Sequence, residues 1–286
     1  MGKMGEPGYK VLRASGGEAY GVCDLPDAEL KRLLDDPDAL LWRNLHRPIK
    51  IAHSSLIVEA DLPLENGVVR VAYKQYRPRN WWKSLWGLLR RGRARSAWHL
   101  GHALLARGIP TARPLAMCQP CGPWLFRSSY LATQWIETAE NLHLYGWRLS
   151  DRPSDQRLEC AARCAVSLGR LLGRMHALQI AHRDLKGANL LVAPQGDQPS
   201  TYLIDVDGVR FCRRLSSHRR AADLARLAAG LVAHPWITRS VCCRFVRAYV
   251  GQFPSGTIAW KPLWREVAAG SHRIIKRKRR RGQQVL

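Results

Sequence analysis

The sequence predicts an α+β fold of two lobes, a strand-rich N-terminal lobe followed by a helical C-terminal lobe. Three observations predict it. Period-two apolar patterning runs from Ile49 to Lys74 and returns over residues 131–136. A 3.6-residue period governs residues 158–179 and most of the chain beyond Ala221. A chain of 286 residues, 46% apolar and with 11 Trp, is long enough for one large domain or two lobes. The boundary between the lobes is expected near residue 137.

Taken in order, residues 26–34 and 38–45 read as short amphipathic helices, so residues 1–45 are assigned to an N-terminal helical extension. Ile49-Lys50-Ile51, Leu56-Ile57-Val58 and the run from Val68 to Lys74 read as strands, with Asn66-Gly67 as a hairpin signal. Residues 93–107 carry a helical stripe of Ala97, Leu100, Leu104 and Leu105, which Gly108 and Pro110 end. Residues 131–136 form a further strand. Leu168, Leu171, Leu172 and Met175 mark a long helix over 158–179. Short strands follow at 190–192 and 202–205, joined by the turn Pro194-Gln195-Gly196-Asp197. The lobes are thus placed at 46–137 and 138–270, with 271–286 as a flexible polybasic tail. No internal repeat is visible.

Charge is uneven. Lys and Arg number 46 against 22 Asp and Glu, a net +24, which excludes an acidic or neutral surface and points to polyanionic partners. Residues 1–40 hold 5 basic and 8 acidic groups, whereas residues 66–136 hold 12 basic groups and no carboxylate. A solvated face normally intersperses both signs. The densest part is Trp81-Trp82-Lys83-Ser84-Leu85-Trp86, continuing to Arg90-Arg91. As a helix it places Trp82, Leu85, Trp86 and Leu89 on one face, suited either to an anionic membrane surface or to a core-facing helix with a wet basic edge. Residues 261–286 add 9 basic groups against 1 acidic.

No apolar run is long enough to span a bilayer, and residues 1–20 lack the apolar core of a secretory signal. The eight cysteines show no framework spacing and are expected to be reduced. Cys118-Gln119-Pro120-Cys121 is a lone pair at zinc spacing, read as a loop before Trp124.

The strongest chemical signal is His182-Arg183-Asp184-Leu185-Lys186-Gly187-Ala188-Asn189, followed by Tyr202-Leu203-Ile204-Asp205-Val206-Asp207-Gly208. A helix precedes the first motif and a strand pair separates the two. The arrangement resembles the catalytic and metal-binding loops of protein-kinase-like enzymes. The resemblance implies a bilobal protein-kinase-like fold and ATP-dependent phosphoryl transfer, which needs a carboxylate for the attacking hydroxyl and ligands for Mg²⁺. It implies Asp184 as base, Lys186 on the γ-phosphate, and Asn189 and Asp205 on magnesium, with Asp207 as a further ligand or a turn cap. Lys74 in Val71-Ala72-Tyr73-Lys74 fits the strand lysine that meets the α- and β-phosphates. Gln134-Trp135-Ile136-Glu137 fits the hinge, whose backbone at Gln134 and Ile136 meets adenine. Asp223 fits the helix carboxylate that braces the catalytic loop.

Four departures narrow the reading. No GxGxxG precedes Lys74; His53-Ser54-Ser55 takes the turn, so Ser54 and Ser55 are the expected phosphate contacts. The helix at 93–107 contains no Glu to pair with Lys74. Asp207 stands where the metal loop usually has Gly. Only 17 residues separate Asp205 from Asp223, with no Ala-Pro-Glu, so a peptide-docking ledge is almost absent.

That combination resembles the lipopolysaccharide kinase family of Gram-negative bacteria, the Kdo and WaaP-type kinases, over roughly residues 45–235. Gly108-Ile109-Pro110-Thr111-Ala112-Arg113-Pro114 and Ile204-Asp205-Val206-Asp207 belong to the likeness. The family implies phosphorylation of a sugar hydroxyl on a lipid-linked inner-core acceptor, at the cytoplasmic face of the inner membrane and peripheral to it. An atypical protein serine/threonine kinase, an inactive kinase-like module that binds membrane or a partner, and a small-molecule phosphotransferase are the alternatives. Nucleic-acid binding as the main role would leave the constellation unused.

Overall fold

The computed structural model describes residues 8–77, 92–121, 128–194, 198–234 and 237–282. It divides into two compact units, Met1–Arg107 with Ala112–Trp135, and Gly108–Thr111 with Ile136–Leu286.

The first unit is built on an antiparallel sheet of seven strands, β1 (Tyr9–Ala14), β2 (Gly17–Val22), β3 (Pro48–Ala52), β4 (Ser55–Leu64), β5 (Gly67–Tyr76), β6 (Pro114–Pro120) and β7 (Ser129–Gln134), in the order β1-β2-β6-β7-β5-β4-β3. The β4–β5 hairpin sets its register. Leu56, Val58, Ala60 and Leu62 of β4 and Val71 and Tyr73 of β5 are buried, so a slip of one residue would expose them all. The two-residue loop is Glu65-Asn66, because Leu64 pairs with Gly67. Gly67, at φ 128°, opens β5 rather than closing the turn. Helices α1 (Asp27–Asp35), α2 (Ala39–Arg43) and α3 (Arg93–Leu105) complete the unit, α3 burying Ala97, Trp98 and Leu104.

Two expectations are corrected here. Residues 9–22 are not helical; they form the β1–β2 hairpin, and β2 continues the sheet onto β6. Ala19, Tyr20, Gly21 and Val22 are buried in succession, so the stretch shows no alternation for a period-two reading to find. Cys118 is not in a loop but in β6, opposite Ala19 and Tyr130. Its thiol lies 3.8 Å from the Tyr73 hydroxyl, and burial pushes its pKa up to about 12. Cys121 is exposed.

The second unit holds β8 (Glu140–Asn141), α4 (Leu142–Ser150), α5 (Ser154–Ala177), β9 (Ile180–His182), β10 (Leu190–Ala193), β11 (Ser200–Leu203), β12 (Val209–Phe211), α6 (Ser217–Leu231), α7 (Arg239–Val250) and α8 (Trp260–Arg280). Its helices surround an apolar cavity of about 280 Å³ lined by Tyr145, Cys164, Leu168, Leu227 and Tyr249. The segment ahead of β6 is tied in by Thr111, whose hydroxyl donates to the Leu203 carbonyl at 2.5 Å. Helix α5 crosses α7 backbone to backbone. A Cβ on Gly169 would stand 2.5 Å from the Phe245 carbonyl oxygen, and one on Gly173 2.5 Å from that of Tyr249.

The polybasic stretch from 271 is likewise corrected. It is not a flexible arm but the last three turns of α8, which has no break at 270. Leu263 and Ser271 are buried, and Gly270 lets the helix close on α6, with Ala225 Cβ 2.8 Å from the missing Cβ. Lys and Arg are good helix formers, and at a C-terminus their charge opposes the macrodipole, so a basic run continues the helix there. The Trp81 to Arg91 stretch lies outside the described residues. Among those described, no helix is long and apolar enough to cross a membrane.

Gly169→Ala is expected to destabilise the protein by about 1–3 kcal/mol through forced separation of α5 and α7. Gly16→Ala, with nothing within 4 Å of the new methyl, should stay within about 0.5 kcal/mol. Urea denaturation of both variants checks the pair.

Candidate active site

The loop from His182 to Asn189 leaves the end of β9, which pairs with β12 so that His182 faces Val209. His182 is fully buried, and its backbone N–H donates to Asp223 Oδ2 at 2.8 Å. Asp223 sits on α6, 1% exposed, and also accepts from Arg226 Nη1 at 2.9 Å. His176 Nε2, from α5, stands 3.5 Å from Asp223 Oδ2, and its Nδ1 meets the Tyr249 hydroxyl at 2.7 Å. Burial holds both His176 and His182 below the ordinary imidazole pKa, while the Asp223 charge acts in the opposite sense.

Two backbone hydrogen bonds fix this loop to the one carrying Asp205. Arg183 N–H donates to the Gly208 carbonyl at 3.1 Å, and Ile204 N–H to the Asn189 carbonyl at 2.9 Å. Gly208 passes close under His182, 2.9 Å from Cε1 to its missing Cβ. The loops therefore form one body, and its polar side chains keep defined places. Asn189 Nδ2 donates to the Asp184 carbonyl at 2.8 Å and lies 3.4 Å from Asp184 Oδ2. Lys186 Nζ donates to the same Oδ2 at 2.8 Å. Asp184 is exposed while Asn189 is buried. Asp205 has φ 58° and ψ 59°, a left-handed conformation that Asp adopts more readily than most residues, at a cost on the order of 1 kcal/mol. The 3-10 turn Val206–Gly208 follows and carries Asp207.

The second unit thus brings together Asp184, Lys186, Asn189, Asp205 and Asp207. Among the described residues no three His, Cys, Asp or Glu side chains form a metal cage. Mg²⁺ in nucleotide sites takes one or two carboxylates and completes its shell with phosphates and water. With the Asn189 amide nitrogen given to the Asp184 carbonyl, its oxygen is the atom that can ligate. Asn189, Asp205 and Asp207 are all oxygen donors, and such a set fits magnesium.

In the first unit, Lys74 pairs with Leu131 and Ile57 in the sheet and shares a face with Tyr76 and Ser55. Its ammonium lies 4.4 Å from the Tyr76 ring centroid, and Arg93, the first residue of α3, places its guanidinium 4.6 Å from the same ring. Sequence reading missed Arg93; the signal was its place in the block that lacks carboxylates. Ser54 is in the two-residue β3–β4 loop, its carbonyl accepting from Arg77 N–H at 3.2 Å, and Ser55 is buried opposite Tyr76. Gln134 ends β7 with its N–H on the Arg113 carbonyl at 2.8 Å. Ile136 opens the second unit and accepts from Ala139 N–H.

A family model for the lipopolysaccharide kinase (Kdo/WaaP) family matches residues 64–249. The chain belongs to that family. The matched span starts and ends later than the likeness read from the motifs, and it includes Lys74, both loops and Asp223. A curated relative, 3-deoxy-D-manno-octulosonic acid kinase of Pasteurella multocida (strain Pm70), is 28% identical over 120 residues, 42% of this chain. The match spans 45% of the relative's own length. Among solved structures, WaaP in complex with acyl carrier protein superposes with a TM-score of 0.60 at 19% identity, covering 89% of this chain and 96% of that one. At that identity the likeness establishes the kinase-like fold.

Asp223→Ala strips a buried N–H and a guanidinium of their acceptor, and is expected to cost about 1–3 kcal/mol in urea denaturation. Acid should destabilise the native protein as well. Burial depresses His102, to about 4, and also His143, His176, His182 and His234. Below about pH 6.5 the unfolded chain binds protons that the native state refuses, so stability falls as pH drops through that value. The thermal midpoint at pH 5.0 should lie well below that at pH 7.5, and His176→Gln should flatten the slope.

Proposed function

We propose that the protein transfers the γ-phosphoryl group of ATP to a sugar hydroxyl of a lipid-linked lipopolysaccharide inner-core acceptor, at the membrane surface. The observation that carries the reading is the environment of Asp184. Its exposed carboxylate receives Lys186 and Asn189 on Oδ2 alone, which leaves Oδ1 to accept the proton of an incoming hydroxyl. Family membership over residues 64–249 supports the reaction class.

In this reading Lys74 holds the α- and β-phosphates and Arg93 adds a second cation on the same face of the sheet. Lys186 steadies the transferring group and holds Asp184 through its hydrogen bond to Oδ2. Asn189, Asp205 and Asp207 hold magnesium, which when bound neutralises the charge that develops on the phosphates. The backbone at Gln134 and Ile136 reads the adenine ring, and Ser54 of the β3–β4 loop, with Ser55 at the start of β4, contacts the phosphates in place of a glycine-rich loop. The absence of a long segment between Asp205 and α6 favours a saccharide over a folded peptide as acceptor.

Peripheral attachment to an anionic inner leaflet is part of the proposal, supported by the net +24. By likeness to the WaaP complex, an acyl carrier protein is proposed as a protein partner.

Labelled ATP with magnesium and lipopolysaccharide core fragments tests the reading, beside generic protein substrates. Label is expected on the core fragment; label on protein alone would overturn the acceptor. Asp184→Ala should lower turnover at least 1000-fold with the thermal midpoint nearly unchanged, since its side chain is 59% exposed. Retained turnover would remove Asp184 as base. Lys74→Ala is expected to lower kcat/KM for ATP by 100-fold or more in the same assay.

A further inference from the structure

Helix α8 does more than close the fold. Its basic face and the small-residue face of α6 form a groove of about 760 Å³ that Asp184 and Lys186 also line. The floor is apolar and shallow-sided because α6 presents Ala222, Ala225, Ala229 and Gly230 there. The α8 wall carries Arg273, Arg277 and Lys278, and α6 adds Arg226. Glu266 and Asp184 are the acidic groups in the lining, and Glu266 is hydrogen-bonded to His218 at 2.7 Å. The basic run is therefore divided by the helix period: Arg273 and Arg277 line the groove, whereas Lys276, Arg279 and Arg280 do not.

We propose that this groove is the acceptor subsite, and that Arg273 and Arg277 bind anionic substituents of the acceptor saccharide. The inference rests on the kinase reading only in taking Asp184 as the reacting end. Four features support it. A solvated charge run has no reason to share a concavity with a catalytic carboxylate. The two guanidinium groups are one helical turn apart, about 6 Å along the axis, so they can engage two anionic groups on neighbouring positions of one sugar chain. Helix α8 is held rigidly where it matters, Gly270 against Ala225 and Ser271 buried, so the groups are presented on a fixed wall rather than a loose tail. An apolar floor of alanines suits the flat face of a pyranose, and a planar guanidinium forks onto phosphate or carboxylate oxygens.

The test is equilibrium binding of a deacylated, water-soluble, phosphorylated inner-core oligosaccharide to the full chain by calorimetry. Arg273→Glu/Arg277→Glu is compared with Arg279→Glu/Arg280→Glu, which changes net charge equally outside the groove. The first pair should weaken binding at least 10-fold and the second less than 2-fold, with unfolding midpoints matched to wild type. An equal loss in both would assign binding to diffuse charge, and a loss in neither would empty the groove of this role; either overturns the proposal. Milder Arg273→Gln/Arg277→Gln substitutions give the same comparison if charge reversal disturbs folding. A dephosphorylated fragment separates phosphate from carboxylate recognition. Phosphoryl transfer by the wild type is measured separately: groove-dependent binding without transfer would defeat the kinase reading and leave the subsite standing. With transfer intact, the Arg273 and Arg277 variants should raise KM for the acceptor at least 10-fold and leave KM for ATP within 2-fold.

Discussion

The second unit depends on one buried carboxylate. Asp223 reaches out of α6 to take the His182 backbone N–H, and so fixes the point where β9 ends and the His182–Asn189 loop begins. At 1% exposure the charge is compensated by two hydrogen bonds, from the His182 N–H and the Arg226 guanidinium, with His176 packed beside it. From that anchor the order propagates by short steps. Arg183 N–H meets Gly208, Ile204 N–H meets Asn189, and Asn189 turns its amide back onto Asp184. Each step uses a backbone group, so the loop geometry is insensitive to most side-chain changes along it.

The same logic explains what the sequence reveals and what it conceals. The His182–Asn189 loop and the Asp205 loop are legible as a pair because their residue types and spacing follow a kinase-like pattern, and the structure fixes the two to each other through backbone hydrogen bonds. Asp223 is legible for the same reason, by likeness to a brace. Helices such as α5 are legible because one face is wet and the other dry. The β1–β2 hairpin is not, since Ala19 to Val22 is buried on both sides and carries no alternation. Cys118, read from the sequence as part of a loop before Trp124, lies in the run Leu115 to Cys118 that is buried in succession and shows no alternation, and burial in β6 makes its thiol inert.

The C-terminal helix is the instructive case. Charge density alone reads as a flexible arm, yet Leu263, Ser271 and Gly270 dock the helix on α6 before the basic run starts. Composition reports what a segment likes to meet; the helix period decides which of its charges can meet it together. A run that looks uniform in one dimension becomes two populations in three, and only one of them faces the groove shared with Asp184.

The missing helix glutamate is open to the same kind of argument. In its place the first unit sets Lys74 and Arg93 against opposite claims on one aromatic ring, Tyr76. A ring attracts each cation through its quadrupole, so Tyr76 helps to position both. Sharing Tyr76 therefore sets two cations side by side on the face with Ser55, within a 71-residue segment that contributes no carboxylate. Two neighbouring cations on one face favour a ligand with several negative charges close together, in keeping with the proposed nucleotide.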